Sequence, residues 1–155
     1  LPPPPEKDQK QDDVIVKERN VLVVYLNFQD QLMCGKDYIS IKQLRQRAKD
    51  FIANPYNDES LPEKYNKDIP FFGNVQVTEK HVISLQNDRN STYQAYIDVQ
   101  NELVAAYNEL RDELAQEKWQ KNYLDLDEEQ QKAIRDIYPQ KISEAEPKNY
   151  GGGKK

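Results

Sequence analysis

Reactive side chains are scarce in this chain: among 155 residues there is one cysteine and one histidine. Cys34 cannot form an internal disulfide, and in an apolar run it reads as a small buried strand residue rather than a reactive thiol. His81 lacks the cysteine or histidine partners that zinc requires. No Gly-x-Ser-x-Gly elbow accompanies it, so a hydrolase built on a Ser/His/Asp triad has little support. A polar residue beside a turn is the simpler reading of His81. Glycine is sparse too, and Gly151-Gly-Gly-Lys-Lys lacks the strand and helix context of a phosphate loop. Asp125, Asp127, Glu128 and Glu129 suit a helix start, where the macrodipole favours acids; a calcium loop needs another spacing. No apolar run approaches the roughly 18 residues of a membrane span, and no signal peptide is visible. Lys and Arg number 22 against 27 Asp and Glu, a net charge of -5, and the two signs are interleaved. That balance argues against nucleic acid as a partner. No catalytic residue, metal site or cofactor emerges, so an enzyme is not expected.

What remains is a periodic scaffold. With 37% apolar and 32% charged residues, the core should be modest and the connections well solvated. Residues 1–19 are rich in proline and then in charge, which suits a flexible linker. Within them Val14, Ile15 and Val16 form an apolar triplet too short for a strand of its own, yet able to add to an exposed sheet edge. Residues 20–28 are apolar on both parities, as in a strand covered on both faces or central in its sheet. Residues 31–34 return as a second strand that stops at Gly35. Ser40 with Gln43 makes a capping box for a helix over Ile41–Ala53, with Ile41, Leu44, Ala48, Phe51 and Ile52 on its apolar side and Asn54-Pro55 as its stop.

Residues 56–73 read as a long loop, and residues 75–78 with 82–86 as a hairpin. Ser91 is the expected cap of a long amphipathic helix carrying Tyr93, Tyr96, Ile97, Leu103, Val104, Tyr107, Leu110 and Leu114. Its far half needs a partner, and a helix over residues 128–138, capped by Asp127 with Gln130, should supply one through Leu124, Leu126, Ala133, Ile134 and Ile137. Ile142-Ser-Glu-Ala-Glu-Pro reads as an edge strand, and residues 148–155 as a disordered tail. Asp88-Arg89 reads as a surface turn with a local ion pair, and Tyr93 as a core residue.

Three segments, in order, resemble one family. Gln31-Leu-Met-Cys-Gly-Lys-Asp-Tyr-Ile-Ser before Ile41-Lys-Gln-Leu is similar to its strand, glycine turn and first helix. Ile83-Ser-Leu-Gln-Asn-Asp-Arg-Asn-Ser-Thr-Tyr resembles its strand ending in an Ala-Asp-Lys-like turn, with Asp88, Arg89 and Tyr93 at the matching positions. Lys141-Ile-Ser-Glu-Ala-Glu falls where its last strand lies. The family is ExbD/TolR, and Leu1-Pro2 resembles the start of its periplasmic linker. The resemblance implies an α+β fold, a small mixed sheet packed on two main helices, with a body over residues 20–147 and insertions at about 54–80 and 115–140.

It further implies the periplasmic part of a single-span inner-membrane protein of a Gram-negative cell, cut from a longer chain. That part would be a homodimer coupled to an ExbB-type channel through an upstream membrane helix. It would pass energy from the proton motive force to a TonB-type protein for outer-membrane transport. The alternative is a TolR-like module gripping peptidoglycan in the Tol-Pal envelope system. The residues expected to meet partners are Val14, Ile15, Val16, Asp88, Arg89, Ile142 and Ala145.

Overall fold

The computed structural model describes residues 17–147. In them β1 (Val21–Leu26), β2 (Leu32–Cys34), β3 (Asp37–Ile39) and α1 (Ile41–Ala53) come first. Then follow β4 (Tyr65–Ile69), β5 (Gly73–Val77), β6 (Val82–Asn87), α2 (Tyr93–Trp119), α3 (Glu128–Ile137) and β7 (Ile142–Glu144). Five strands make one mixed sheet in the order β3-β2-β1-β6-β7, and β4 pairs only with β5. β6 lies parallel to both β1 and β7. A parallel pair cannot be closed by a tight turn, so the chain must cross over between its strands. The two crossovers carry α1 and α2, which pack on the same face of the sheet. This is the expected α+β arrangement.

The core lies between that face and the two helices. Val24, Leu26, Leu32, Cys34, Ile83 and Leu85 meet Leu44, Ala48, Phe51 and Ile52 of α1 and Val99, Leu103 and Tyr107 of α2. Each fully buried aliphatic side chain contributes about 1.5–3 kcal/mol, more than the partly exposed ion pairs between the helices. Those pairs still report direction. Arg45 bonds Glu102 and Glu109, and Lys49 bonds Glu109 and Glu113, so α1 and α2 run parallel. β1 is central, as expected, but it is not covered on both sides. Its outward parity, Val21, Val23 and Tyr25, is partly open, and Val23 is 36% exposed.

The helix caps follow from local chemistry, with one shift. Ser40 and Gln43 form the expected capping box, and Asn54 ends α1 in the left-handed conformation at φ 42°. α2 is capped by Thr92, one residue beyond the expected Ser91, and Thr92 Oγ1 accepts from Ala95 N. The reason is competition. Ser91 Oγ already donates to Asp88 O and accepts from Asn87 Nδ2. Thr92 is held by Asp30, whose carboxylate accepts from its N–H and its hydroxyl, both at 2.8 Å. Within the stripe Leu103, Tyr107 and Leu110 are buried, but Tyr93 is 78% exposed because it starts the helix beyond the sheet. Ile41, the first residue of α1, is 38% exposed.

The expected long loop and hairpin need correcting. β5 pairs with β4, from Tyr65↔Val77 to Ile69↔Gly73, not with β6. β6 instead takes a six-residue parallel register on β1. Ile69 and Val77 then pack on Ala133 and Ile137 of α3, while Leu126 and Ile134 pack on Ala115. The two segments outside the resemblance thus build a joint second core. α3 is capped by Asp127 and Gln130 as expected, but Leu124 points away at 82% exposure.

Candidate functional site

β3 and β7 are the two edges of the five-stranded sheet. Both are three residues long, and short edges limit indiscriminate pairing. The β7 edge can be read atom by atom. Ile83 N donates to Lys141 O and Ala145 N donates to Leu85 O. The odd-numbered main-chain groups therefore face β6, and those of Ile142 and Glu144 face away. Ile142 pairs with Ile83 and its side chain packs against the core. Ala145 lies just past the strand and is exposed.

Side chains pin this strand to α2. Glu144 accepts from Gln100 Nε2 at 2.8 Å and from the Tyr96 hydroxyl. Burial, and then the neighbouring Glu144, push the Tyr96 hydroxyl up to about 12. At the other end of β7, Lys141 N donates to Tyr107 Oη at 3.1 Å, and that oxygen lies 2.7 Å from His81 Nε2. His81 Nδ1 is 2.6 Å from Thr78 O. The carbonyl requires a proton on Nδ1, so Nε2 accepts from Tyr107. His81 does stand beside a turn, at Glu79-Lys80, but it is itself 0% exposed. Desolvation holds its pKa down at about 4, against the pull of the Thr78 carbonyl. Its partners lie 3 and 26 positions away, and no adjacent motif signals the second of them.

Asp88 differs from expectation in the same sense. It is 0% exposed, and no ion pair joins it to Arg89 among the described residues. Its N–H donates to Leu26 O at the end of β1, and its Oδ1 accepts from Asn90 N at 2.8 Å. Oδ2 is buried without a hydrogen-bond partner. Asp88 thus ties the end of β1 to the start of α2 and is enclosed in the single chain. Arg89 is exposed. The two sheet-side candidates, Ile142 and Ala145, adjoin β6, whose end carries this turn.

Val14, Ile15 and Val16 lie outside the described residues. The chain that follows them is held at the opposite end of β1. Lys17 Nζ meets Glu63 Oε2 at 2.7 Å, Arg19 Nε donates to Leu61 O, and Glu63 N donates to Asn20 Oδ1. The Lys17 ammonium, with the Tyr65 hydroxyl, draws the Glu63 carboxyl down to about 2. Sequence reading missed this clasp, since its partners are separated by 42 to 46 positions. No group of three or more metal-ligating side chains occurs among the described residues. No helix among them is long and apolar enough to cross a membrane.

A family model described as biopolymer transport protein ExbD/TolR matches residues 1–112, a span that ends within α2. No curated protein matches the chain.

Proposed function

The chain belongs to the ExbD/TolR family of biopolymer transport proteins, and on that premise we propose that it is the periplasmic domain of an ExbD-type subunit. In this reading an upstream membrane helix joins it to an ExbB-type channel. The domain, as a homodimer, relays energy from the proton motive force to a TonB-type protein serving an outer-membrane receptor. The family is one of transport rather than catalysis. In keeping with that, the single imidazole is enclosed by Thr78, Tyr107 and Phe51.

The observation that supports a relay is the pairing of a rigid core with an open main-chain edge. Backbone groups of Ile142 and Glu144 face away from β6, on a strand anchored by Glu144 to α2. A partner strand added there gains main-chain hydrogen bonds in register with a stiff sheet. Val14, Ile15 and Val16 are the matching donor segment, exchanged within the dimer or mirrored by a TonB-type segment. Arg89 and Ala145 flank the same region, with Asp88 positioning the turn from within.

Co-sedimentation with peptidoglycan sacculi, run beside capture by the periplasmic segment of a TonB-type protein, tests the reading. Capture by the TonB-type segment is the expected result. Retention on sacculi alone would instead give the TolR-like, wall-binding role, and failure of both would contradict the relay.

A further inference from the structure

Taking the homodimer of the relay reading as premise, we propose that its two copies meet through the open face of the five-stranded sheet, the face turned away from α1 and α2. The two-fold axis crosses β1 at Val23.

β1 is apolar on both parities, and the helices cover only one of them. A sheet face left to water reads polar; this one does not. β1 turns Val21, Val23 and Tyr25 outward, and Val23 is 36% exposed. The registers Tyr25↔Met33 and Met33↔Tyr38 carry the apolar surface to the β3 edge, where Tyr38 is 63% exposed. On the other flank Val21↔Val82 keeps it apolar, and Ser84, Gln86 and Ser143 complete it with uncharged polar groups. The two charged residues of these five strands, Asp37 and Glu144, pair with Cys34 and Leu85 and so fall on the helix side. Nine outward positions thus carry no charge, where the chain's 32% of charged residues would place about three. An apolar, uncharged face of this extent calls for cover.

Charge and size choose the occupant. An anionic lipid surface or a nucleic acid is held by basic residues, and this face has none. A chain of net charge -5 repels its own copy, so two copies meet best where neither presents charge. The face also complements itself in shape. A two-fold axis lying between the sheets, perpendicular to β1 at Val23, sets Val23 against Val23. It brings the Tyr25 ring of each copy over the smaller Val21 of the other. Twisted sheets stack in this way about 10 Å apart. Five strands are about 24 Å wide and at most about 20 Å long. Two such faces hide up to roughly 1,000 Å², the lower bound of a specific interface. The dimer is accordingly weak, and it leaves the outward main chain of β7 open to a partner strand.

Sedimentation equilibrium of the chain, at concentrations up to about 0.5 mM to suit an interface of that size, tests this. A dimer is expected. Val23→Glu and Val23→Lys should each weaken it at least about tenfold, because like charges then meet across the axis. An equimolar mixture of the two variants, with opposite charges across the axis, should recover it. On the unsubstituted chain, isotope-filtered NOEs should join Tyr25 ring protons of one copy to Val21 methyls of the other, a pair too far apart along one strand to give that signal within a copy. A monomer throughout, a dimer indifferent to both Val23 variants, or a mixture that stays monomeric would overturn the proposal. A dimer that survives the Val23 variants but is lost in Glu144→Pro would move the interface to the β7 edge, overturning this face and leaving the homodimer intact. The relay itself is judged separately, by capture of the TonB-type segment.

Discussion

His81 shows how much can rest on one side chain here. Its ring nitrogens join the Thr78 carbonyl to the Tyr107 hydroxyl, which in turn holds the first main-chain N–H before β7. Burial keeps the ring neutral, with a pKa of about 4 against an ordinary 6.5. Between those values the unfolded chain binds the proton that the folded chain refuses. Stability from this residue is thus complete above pH 6.5 and is lost as pH falls toward 4, by up to about 3 kcal/mol. Urea unfolding midpoints followed from pH 7.5 to 4.5 should show that slope, and His81→Phe should flatten it. Tyr107→Phe, which orphans both the imidazole nitrogen and the Lys141 N–H, should cost about 2–3 kcal/mol at pH 7.5. A slope that survives His81→Phe would show another group responsible. None of this was legible in the sequence. The sequence places one histidine beside a turn, as it is, but not its burial, which depends on Tyr107, 26 positions along the chain.

Whole elements were easier to read, because their signals are local. The Ser40–Gln43 box, the Asp127–Gln130 box and the bounds of α1 follow from residues three apart. The β4–β5 ribbon was missed because its inward residues face α3, which lies far along the chain. The Thr78–His81 turn looked like a hairpin for want of any signal that its side chains point into the core. Helix ends give a paired test. Asn54 and Gln120 both end helices with positive φ, at 42° and 56°. A glycine relieves that conformation, so Gln120→Gly should stabilise by about 0.5–1 kcal/mol. Asn54 is different. Its amide donates to Asp58 O and Pro62 O and accepts from Asp58 N, ordering the loop that receives Arg19. Asn54→Gly should therefore destabilise by about 1–3 kcal/mol despite the same backbone relief. Equal shifts in denaturation midpoint for the two variants would contradict this division.

At the scale of the molecule the architecture separates two ends. Lys17, Arg19 and Glu63 clasp the chain where it joins β1, and the Asp88 turn and the end of β7 lie at the other end of the same sheet. β1 joins β6 through a six-residue parallel register, and β6 in turn pairs with the β7 edge, the path along which the proposed relay would pass a pull on the incoming chain. The second core of β4, β5 and α3 braces the far half of α2, which at 27 residues is about 40 Å long. The motif order was enough to find the family. The clasp was not legible, because it forms between segments that the motifs do not include; of the second core, the packing of α3 on the far half of α2 was expected and the β4–β5 half was not.

The central claim, that this body is engaged through the main-chain edge of β7, is tested most directly at Glu144. Its backbone faces away from β6, so Glu144→Pro removes an outward N–H while sparing the bonds that hold the strand. Glu144→Ala removes the same side chain and keeps that N–H. Affinity for the TonB-type periplasmic segment, measured by isothermal calorimetry, should fall at least about tenfold for the proline variant relative to the alanine one. Equal affinity for the two variants would contradict engagement through this edge.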